Sequence, residues 1–186
     1  MSSVGETLVG VAPSVVMVHG PSKLLIDTYH WHIPNVGVVA SYSPRELDVA
    51  DHFGIFRGVD MIEAFAQASC GSCSAFLQCV KMGIDFDELK ANFMPLFLNV
   101  GQVNFHNYLE VGDVMISIGH IKFYKFRQMI CEGRIYKAPK GLDLAAYFKD
   151  YTKEQLLAYK LSKDFIQVAE LYGITGKAVK KDKIIF

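Results

Sequence analysis

One long apolar segment constrains the fold of this chain more than any other feature. It runs from Val59 to Lys81, is rich in alanine, and is followed by Gly83, a residue typical of helix C-termini. A helix built on this segment carries apolar side chains on nearly every side, which predicts that it is largely buried. Because such a helix must be covered by other elements, we expect it at the centre of the domain.

Strand-like patterns flank this helix. Residues 24–32 and 36–41 predict a hairpin, and the runs at 93–104, 114–126 and 128–136 predict further antiparallel strands. The pattern changes near residue 140, where Ala, Leu, Lys and Glu take on a helical spacing. We therefore predict an α+β protein, with a sheet-and-helix domain over residues 1–140 and a small C-terminal helical extension over residues 141–186. Two helix signals support the extension, a capping box at Thr152–Gln155 and a C-cap at Gly173.

Composition restricts the class of protein. Of 186 residues, 51% are hydrophobic, and 19 basic residues balance 19 acidic ones. Zero net charge removes any general attraction for nucleic acid or anionic membranes. No apolar run reaches the roughly 18 residues of a membrane span, and the N-terminal stretch lacks the pattern of a secretory signal. We therefore expect a cytoplasmic protein with reduced cysteines and without membrane association.

The predicted helix carries one polar stripe. Glu63, Gln67, Cys70 and Ser74 follow one another at spacings of four, three and four, so they share a face. An ionised carboxylate is costly to bury, so Glu63 is expected either to have a partner or to hold a proton that it can donate. A purely structural Glu63, bonded to the backbone or to Gln67, would fit the same spacing.

A candidate base and an anion-binding helix end precede this stripe. His52 lies in the loop Asp51–Gly54, and Gly58 stands immediately before the first helical turn, where backbone N–H groups are free. A base, a helix N-terminus and a buried acid together suit the removal of a proton next to a thioester carbonyl. A single histidine before a helix is more often structural, so the combination indicates a site.

These residues resemble a family signature. His52-Phe53, Gly58-Val59 and Glu63-Ala-Phe-Ala-Gln67-Ala are similar to the H-F…P-G-V…E-A-x-A-Q motif of FabZ-type 3-hydroxyacyl-ACP dehydratases, which have the hotdog fold. The stretch 101–113 is similar to that family's V-x-F-x-x-P-V-x-P-G-D motif, and the resemblance covers residues 20 to 138. The loop between His52 and Gly58 is roughly three residues shorter than in the family and lacks the usual prolines.

The resemblance implies a reaction and a role for each residue. His52 would remove the α-proton of a 3-hydroxyacyl thioester, and Glu63 would protonate the leaving β-hydroxyl, giving a trans-2-enoyl thioester. Gln67 would orient Glu63. Such a hydro-lyase serves fatty-acid or polyketide-like biosynthesis and needs no metal or redox cofactor.

The same resemblance implies how the substrate is held and which partners are involved. Backbone N–H groups at Gly58 or Val59 would bind the thioester carbonyl, and Phe53 would contact the substrate. The histidine and the glutamate meet across a dimer in the family, so a homodimer, or a higher homo-oligomer built from dimers, is implied. The acyl group would arrive on the phosphopantetheine of acyl carrier protein or on coenzyme A.

Several alternatives remain open at the level of sequence. A hotdog acyl-thioesterase would use Glu63 to activate water, and a non-catalytic acyl-thioester-binding protein would use the same cavity without turnover. Weaker signals resemble metal-binding or nucleic-acid-binding patterns, but structural roles explain them better, and we expect no nucleic-acid partner. They are the histidines of 30–32, the Cys70–Cys73 pair, the basic and aromatic run 122–127, and a helix-turn-helix-like pattern over 167–179. We expect no metal site, and we expect the 122–127 run to lie near an acidic carrier, with Arg57 as a further cation.

Overall fold

The fold, seen in a computed structural model, is described for residues 4–183. Strands and short helices alternate around one longer helical rod. The helices are α1 Pro13–Val16, α2 Glu46–Val49, α3 Gly58–Ala66, α4 Ser72–Met82, α5 Phe86–Asn92, α6 Leu144–Phe148 and α7 Lys153–Leu157, and Lys181–Lys183 form a 3₁₀ turn. The strands are β1 Thr28–Ile33, β2 Gly37–Tyr42, β3 Ile55–Phe56, β4 Phe93–Asn99, β5 Gln102–Phe105, β6 Leu109–Glu110, β7 Met115–Lys125, β8 Gln128–Lys137 and β9 Ile166–Lys180.

The main sheet is antiparallel throughout. Its order is β1-β2-β7-β8-β9-β4, and β5 also pairs with β9. The predicted first hairpin is confirmed, with Thr28 opposite Ser41 and Ile33 opposite Gly37. The run predicted as one strand over 93–104 is two strands, because the chain breaks at Gly101, which packs against the backbone of β9 at Tyr172 and Gly173.

The predicted central helix is confirmed as a rod made of α3, a π-turn at Gln67–Gly71, and α4. It ends at Gly83, whose φ of 68° gives the left-handed cap expected of glycine. The sheet curves around this rod, and its inner face supplies the buried aliphatic residues that cover it. The α+β class with an antiparallel sheet around a long helix is therefore confirmed.

The prediction of a helix through Tyr172 is wrong. Residues 166–180 form β9, a long strand that lies between β8 on one side and β4 and β5 on the other. Gly173 has the positive φ of a C-cap glycine, 65°, but it lies within the strand where β9 passes Gly101. Pairing with other strands on both edges of this segment outweighs its apparent helical spacing. Residues beyond 140 thus contribute a strand to the main sheet.

The helical part of the predicted extension is limited to α6 and α7. The capping box is confirmed, since Thr152 Oγ1 accepts from the Gln155 N–H and the Gln155 side chain accepts from the Thr152 N–H. These two helices cover the outer face of the sheet, where Trp31, Phe148, Tyr151 and Leu156 form a second hydrophobic core. The helix-turn-helix-like pattern over 167–179 does not correspond to helices, because those residues lie in β9. No helix in the range 4–183 is long and apolar enough to cross a membrane.

Candidate functional site

Gln67 organises the polar stripe of the central helix. Its Nε2 donates to Glu63 Oε1 at 2.9 Å and to the carbonyl of Lys23 at 2.8 Å, and its Oε1 accepts from the Leu25 N–H at 2.9 Å. The side chain is buried, so these bonds satisfy an amide that has little access to water. Gln67 therefore fixes the Glu63 carboxylate and ties the segment before β1 to the helix.

Glu63 is less buried than the sequence predicted. Its side chain keeps 38% of its exposure within one chain, on the last turns of α3. A carboxylate with that access to water does not carry the full penalty of burial. Contact with Gln67 provides the partner that the spacing predicted, and the open side of Glu63 remains available to a ligand or to a second copy.

The structure adds a histidine that sequence reasoning missed. His19, between α1 and β1, places Nε2 3.6 Å from Glu63 Oε1, and its side chain is 25% exposed. Its Nδ1 is buried and has no hydrogen-bond partner among the residues described. Burial lowers the pKa of His19, and the negative charge of Glu63 opposes that effect in part. No motif or periodic spacing connects residues 19 and 63, so the sequence offered no signal for this contact.

A cavity opens beside this cluster, and the empty space there is about 820 Å³ when the open solvent at its mouth is counted. The predicted polar stripe lines one wall, together with His19. The opposite walls, from α5, β4 and β9, are mainly apolar and include Leu89, Phe93, Pro95, Leu96, Phe97 and Ala178. A polar wall with a carboxylate facing an apolar wall is suited to a ligand with a long hydrocarbon part and a polar reacting end.

His52 lies outside this cavity. It follows α2 in an exposed turn, with Nδ1 3.0 Å from the Ile55 carbonyl, and its recorded contacts in the described part of the chain do not include Glu63. Asp51, Phe53 and Gly54 all have positive φ, and the Phe53 side chain is 98% exposed. Positive φ is costly for a bulky residue, so this short loop holds Phe53 outward under strain. Within one chain the structure does not bring His52 and Phe53 to Glu63.

The helix N-terminus forms as the sequence predicted. α3 begins at Gly58, and the Arg57 carbonyl accepts from the N–H groups of Asp60 and Met61. The N–H groups of Gly58 and Val59 precede any helical acceptor, as at every helix start. Gly58 also packs against Phe105, because a Cβ at this position would lie 2.8 Å from that ring. This end of α3 thus presents free donors beside an aromatic wall.

The residues of the weaker sequence patterns make structural contacts. Arg57 is paired with Asp60 and Lys122 with Glu132, so these two cations are already neutralised. Arg127 lies over Phe93 at the cavity wall and donates to the Ala178 carbonyl at 3.1 Å. In residues 4–183 no cluster of three or more His, Cys, Asp or Glu could hold a metal ion. The four cysteines are free and buried, and His30 and His32 make separate contacts, with Ser41 and Leu8.

Comparison with known proteins gives the fold a name. The dehydratase heterocomplex ApeI:P from Xenorhabdus doucetiae matches with a TM-score of 0.63 at 12% identity, over 93% of this chain and 94% of that one. The chain has the hotdog fold. An acyl-CoA hydrolase from Agrobacterium tumefaciens matches at 0.48, with 14% identity, over 78% of this chain and 44% of that one.

A third similar structure is that of Cj0977, a sigma28-regulated virulence protein from Campylobacter jejuni. It matches at 0.49 with 14% identity, over 94% of this chain and 98% of that one. No family model matches the sequence, and no curated protein matches it either. The likeness to the dehydratase heterocomplex, at 12% identity, shows the fold alone, so any argument about chemistry must rest on the residues of the cavity.

Proposed function

We propose that this hotdog protein acts on acyl thioesters and dehydrates 3-hydroxyacyl thioesters to trans-2-enoyl thioesters. The observation that supports this function is the Glu63 carboxylate, oriented by Gln67 on the polar wall of an otherwise apolar cavity. An acyl chain needs an apolar cavity, and elimination of a hydroxyl needs an acid beside it. The acyl group is carried on coenzyme A or on the phosphopantetheine of acyl carrier protein.

The proposed reaction eliminates water across Cα and Cβ of the acyl group. A base removes a proton from Cα, the Cα–Cβ double bond forms, and the C–O bond at Cβ breaks. Protonated Glu63 gives its proton to the departing hydroxyl, which leaves as water. Negative charge that develops on the thioester oxygen is held by the free N–H groups of Gly58 and Val59 at the positive end of α3.

In this proposal the base is the partner subunit's His52. The loop of His52 and Phe53 projects outward from its own chain, which suits insertion beside a second copy. β4 lies at an edge of the sheet and exposes Leu96, Phe97 and Leu98, so a second β4 could pair with it and cover these side chains. The active unit is then a homodimer, with Phe53 of one copy near the substrate of the other.

The dimer is tested by changing its edge strand. Leu98→Lys places a charge on β4 and is expected to shift the protein from dimer to monomer in sedimentation velocity. Leu157→Lys is the matched control, because Leu157 is 40% exposed on α7, which covers the outer face of the sheet and is not part of the proposed interface. A wild type that is monomeric at assay concentrations, or a Leu98→Lys variant that remains dimeric, contradicts the assembly.

The reaction is tested with 3-hydroxyacyl-CoA as substrate and enoyl absorbance as the signal. Glu63→Gln and His52→Gln are each expected to lower kcat by about 100-fold or more, the range of a lost acid or base. His106→Gln is the control, since His106 lies on the surface outside the cavity lining. Full activity in both site variants would overturn the assignment.

Thioester hydrolysis is the second candidate. Glu63 keeps an open side toward solvent, so the same carboxylate could activate a water molecule instead of protonating a hydroxyl. Release of free thiol from an acyl-CoA that lacks the 3-hydroxyl, without enoyl formation, would identify this activity. Binding of acyl-CoA with neither product would identify a protein that holds thioesters without turnover.

A further inference from the structure

His19 is held beside Glu63 from both sides. Ahead of it, the buried Met17 packs against Gly71 of the rod, where a Cβ would lie 2.8 Å from Met17 Cε, and behind it the Lys23 carbonyl accepts from Gln67 Nε2. The turn between these anchors is closed by the Gly20 carbonyl, which accepts from the N–H groups of Lys23 and Leu24. The helical rod therefore fixes the backbone on either side of His19.

The ring of His19 has one nitrogen toward Glu63 and one without a partner. Nε2 is 3.6 Å from Glu63 Oε1, about 0.5 Å beyond a hydrogen bond, so a small movement makes the contact. Nδ1 is buried and unpaired within residues 4–183. A charge is costlier to bury than a neutral imidazole, so burial favours the neutral ring. The resting ring is therefore neutral, and Nε2 is the nitrogen that can exchange a proton with Glu63.

Few other titratable groups line the cavity beside this pair. The other titratable groups that line the cavity are Cys70 from the helix, Lys90 from α5 and Lys177 from β9. Lys90 is paired with Asp87 at 3.0 Å, and the charge that acts on His19 is that of Glu63. Burial lowers the pKa of the ring, and ionised Glu63 raises it, so the two groups respond to each other's charge.

We propose that His19 and Glu63 of the same chain form a proton-sharing pair, in which His19 is a positioning residue that returns a proton to Glu63 after each turnover. This inference rests on the proposed dehydration. Elimination leaves Glu63 as a carboxylate. His19 keeps its hydrogen on Nδ1 throughout, while Nε2 takes a proton from solvent and passes it to Glu63 Oε1, which leaves the ring in the same neutral state as before. The α-proton leaves with the partner's base, so one proton is lost from Cα and one is delivered to the hydroxyl in each cycle.

Activity distinguishes this role from simple packing. His19→Gln keeps a donor toward Glu63 but cannot carry a proton, and it is expected to lower kcat by about 10- to 100-fold with little change in KM. His19→Ala is expected to regain activity with added imidazole, whereas Glu63→Gln is not. His30→Gln is the control, because His30 is also a partly buried histidine but bonds to Ser41 outside the cavity lining.

Unchanged kcat in His19→Gln, with active wild type, overturns the inference and leaves the dehydratase proposal standing. Loss of activity in His19→Ala that imidazole does not restore, together with a raised KM and lower thermal stability, assigns His19 a structural role and also overturns it.

A titration separates the pair from the reaction. Imidazole signals of His19 are followed by NMR in wild type and in Glu63→Gln. Removing the carboxylate charge removes the influence that raises the His19 pKa, so the ring should titrate at a lower pH in the variant, while His30 stays unchanged. Identical His19 titrations overturn the inference. If wild type shows no turnover, the proposed function and the proton return both fail, and the titration alone decides whether the pair exists.

Discussion

The Gln67 side chain makes three hydrogen bonds at the site, more than any other side chain of the polar stripe in the described part of the chain. One amide joins the acid Glu63, the carbonyl of Lys23 and the N–H of Leu25. An amide suits this position because it offers two donors and an acceptor without a charge to desolvate. Orientation of the acid and attachment of the segment that carries His19 therefore depend on the same residue.

Gln67→Met tests this dependence. The substitution keeps the length of the side chain but leaves the Leu25 N–H and the Lys23 carbonyl without partners, so we expect a loss of about 2–4 kcal/mol in the free energy of unfolding. Gln78→Met is the matched control on the same wall of the cavity, where the glutamine accepts one bond, from Tyr124, and the expected loss is about 1 kcal/mol. Equal losses in urea unfolding would contradict the bridging role of Gln67.

His32 predicts how stability depends on pH. It is buried, accepts from the Leu8 N–H, and has a pKa lowered to about 4 by burial. An unfolded histidine titrates near 6.5, so the unfolded state binds the proton first as the pH falls. Neutral His32 therefore contributes its full stabilisation above about pH 6.5. The free energy of unfolding falls by roughly 3 kcal/mol as the pH is lowered to about 4.

The measurement is urea unfolding of wild type and His32→Gln across that pH range. Glutamine retains an acceptor for Leu8 but does not titrate, so the variant should lose less stability between pH 6.5 and 4. If the free energy of unfolding falls equally with pH in the two proteins, His32 does not cause the loss of stability at low pH.

At the scale of elements, the position of the helical rod is set by two glycines of the sheet. Gly119 of β7 and Gly133 of β8 lie opposite each other in the strand pair. A Cβ on Gly119 would lie 2.5 Å from Ser69 Cβ in the π-turn, and one on Gly133 would lie 2.6 Å from the Phe65 ring. The sheet therefore has no side chains at the two positions where the helix packs against it. This close approach keeps the polar stripe turned toward the cavity.

Gly133→Ala is expected to destabilise the fold. Its Cβ would meet both the Phe65 ring and the Ile118 carbonyl of β7, neither of which can move freely, so we expect a loss of about 1–3 kcal/mol or more. Gly5→Ala is the control, because nothing lies within 4 Å of a Cβ there and the expected change is below about 0.5 kcal/mol. Thermal unfolding of the two variants compares them directly, and an equally stable Gly133→Ala would contradict the packing.

At the scale of the whole molecule, the sheet is covered on both faces. The helical rod covers the inner face, and residues 139–165, which connect β8 to β9, cover part of the outer face. Trp31 anchors this connection, since its Nε1 donates to the Tyr151 carbonyl at 2.6 Å. Because β9 follows directly and pairs with three strands, the outer cover and the sheet stabilise each other.

Leu156→Ala measures the contribution of this outer cover. The leucine of α7 is fully buried against the sheet, so truncation should cost about 2–5 kcal/mol in the free energy of unfolding. Leu47→Ala removes the same atoms from an exposed position and should change stability by less than about 0.5 kcal/mol. A small effect at Leu156 would indicate that the connection is not part of the cooperative unit.

The elements that were predicted correctly are those that depend on interactions between residues close together in the chain. The central helix, its end at Gly83, the first hairpin and the capping box at Thr152 were all readable because periodicity and caps act within a few residues. The assignment of 166–180 failed because apolar residues on both faces of a strand mimic helical spacing. Pairing with β5 on one edge and β8 on the other makes this segment a strand instead of a helix.

The sequence by itself determined the rod and its polar stripe, because helical geometry alone places Glu63, Gln67, Cys70 and Ser74 on one face. Tertiary structure alone decided what this stripe faces. The contact of His19 with Glu63 and the entry of β9 into the sheet join residues far apart in the chain, and such contacts depend on the path of the whole backbone. For the same reason His52, close to Glu63 in sequence, lies apart from it within one chain.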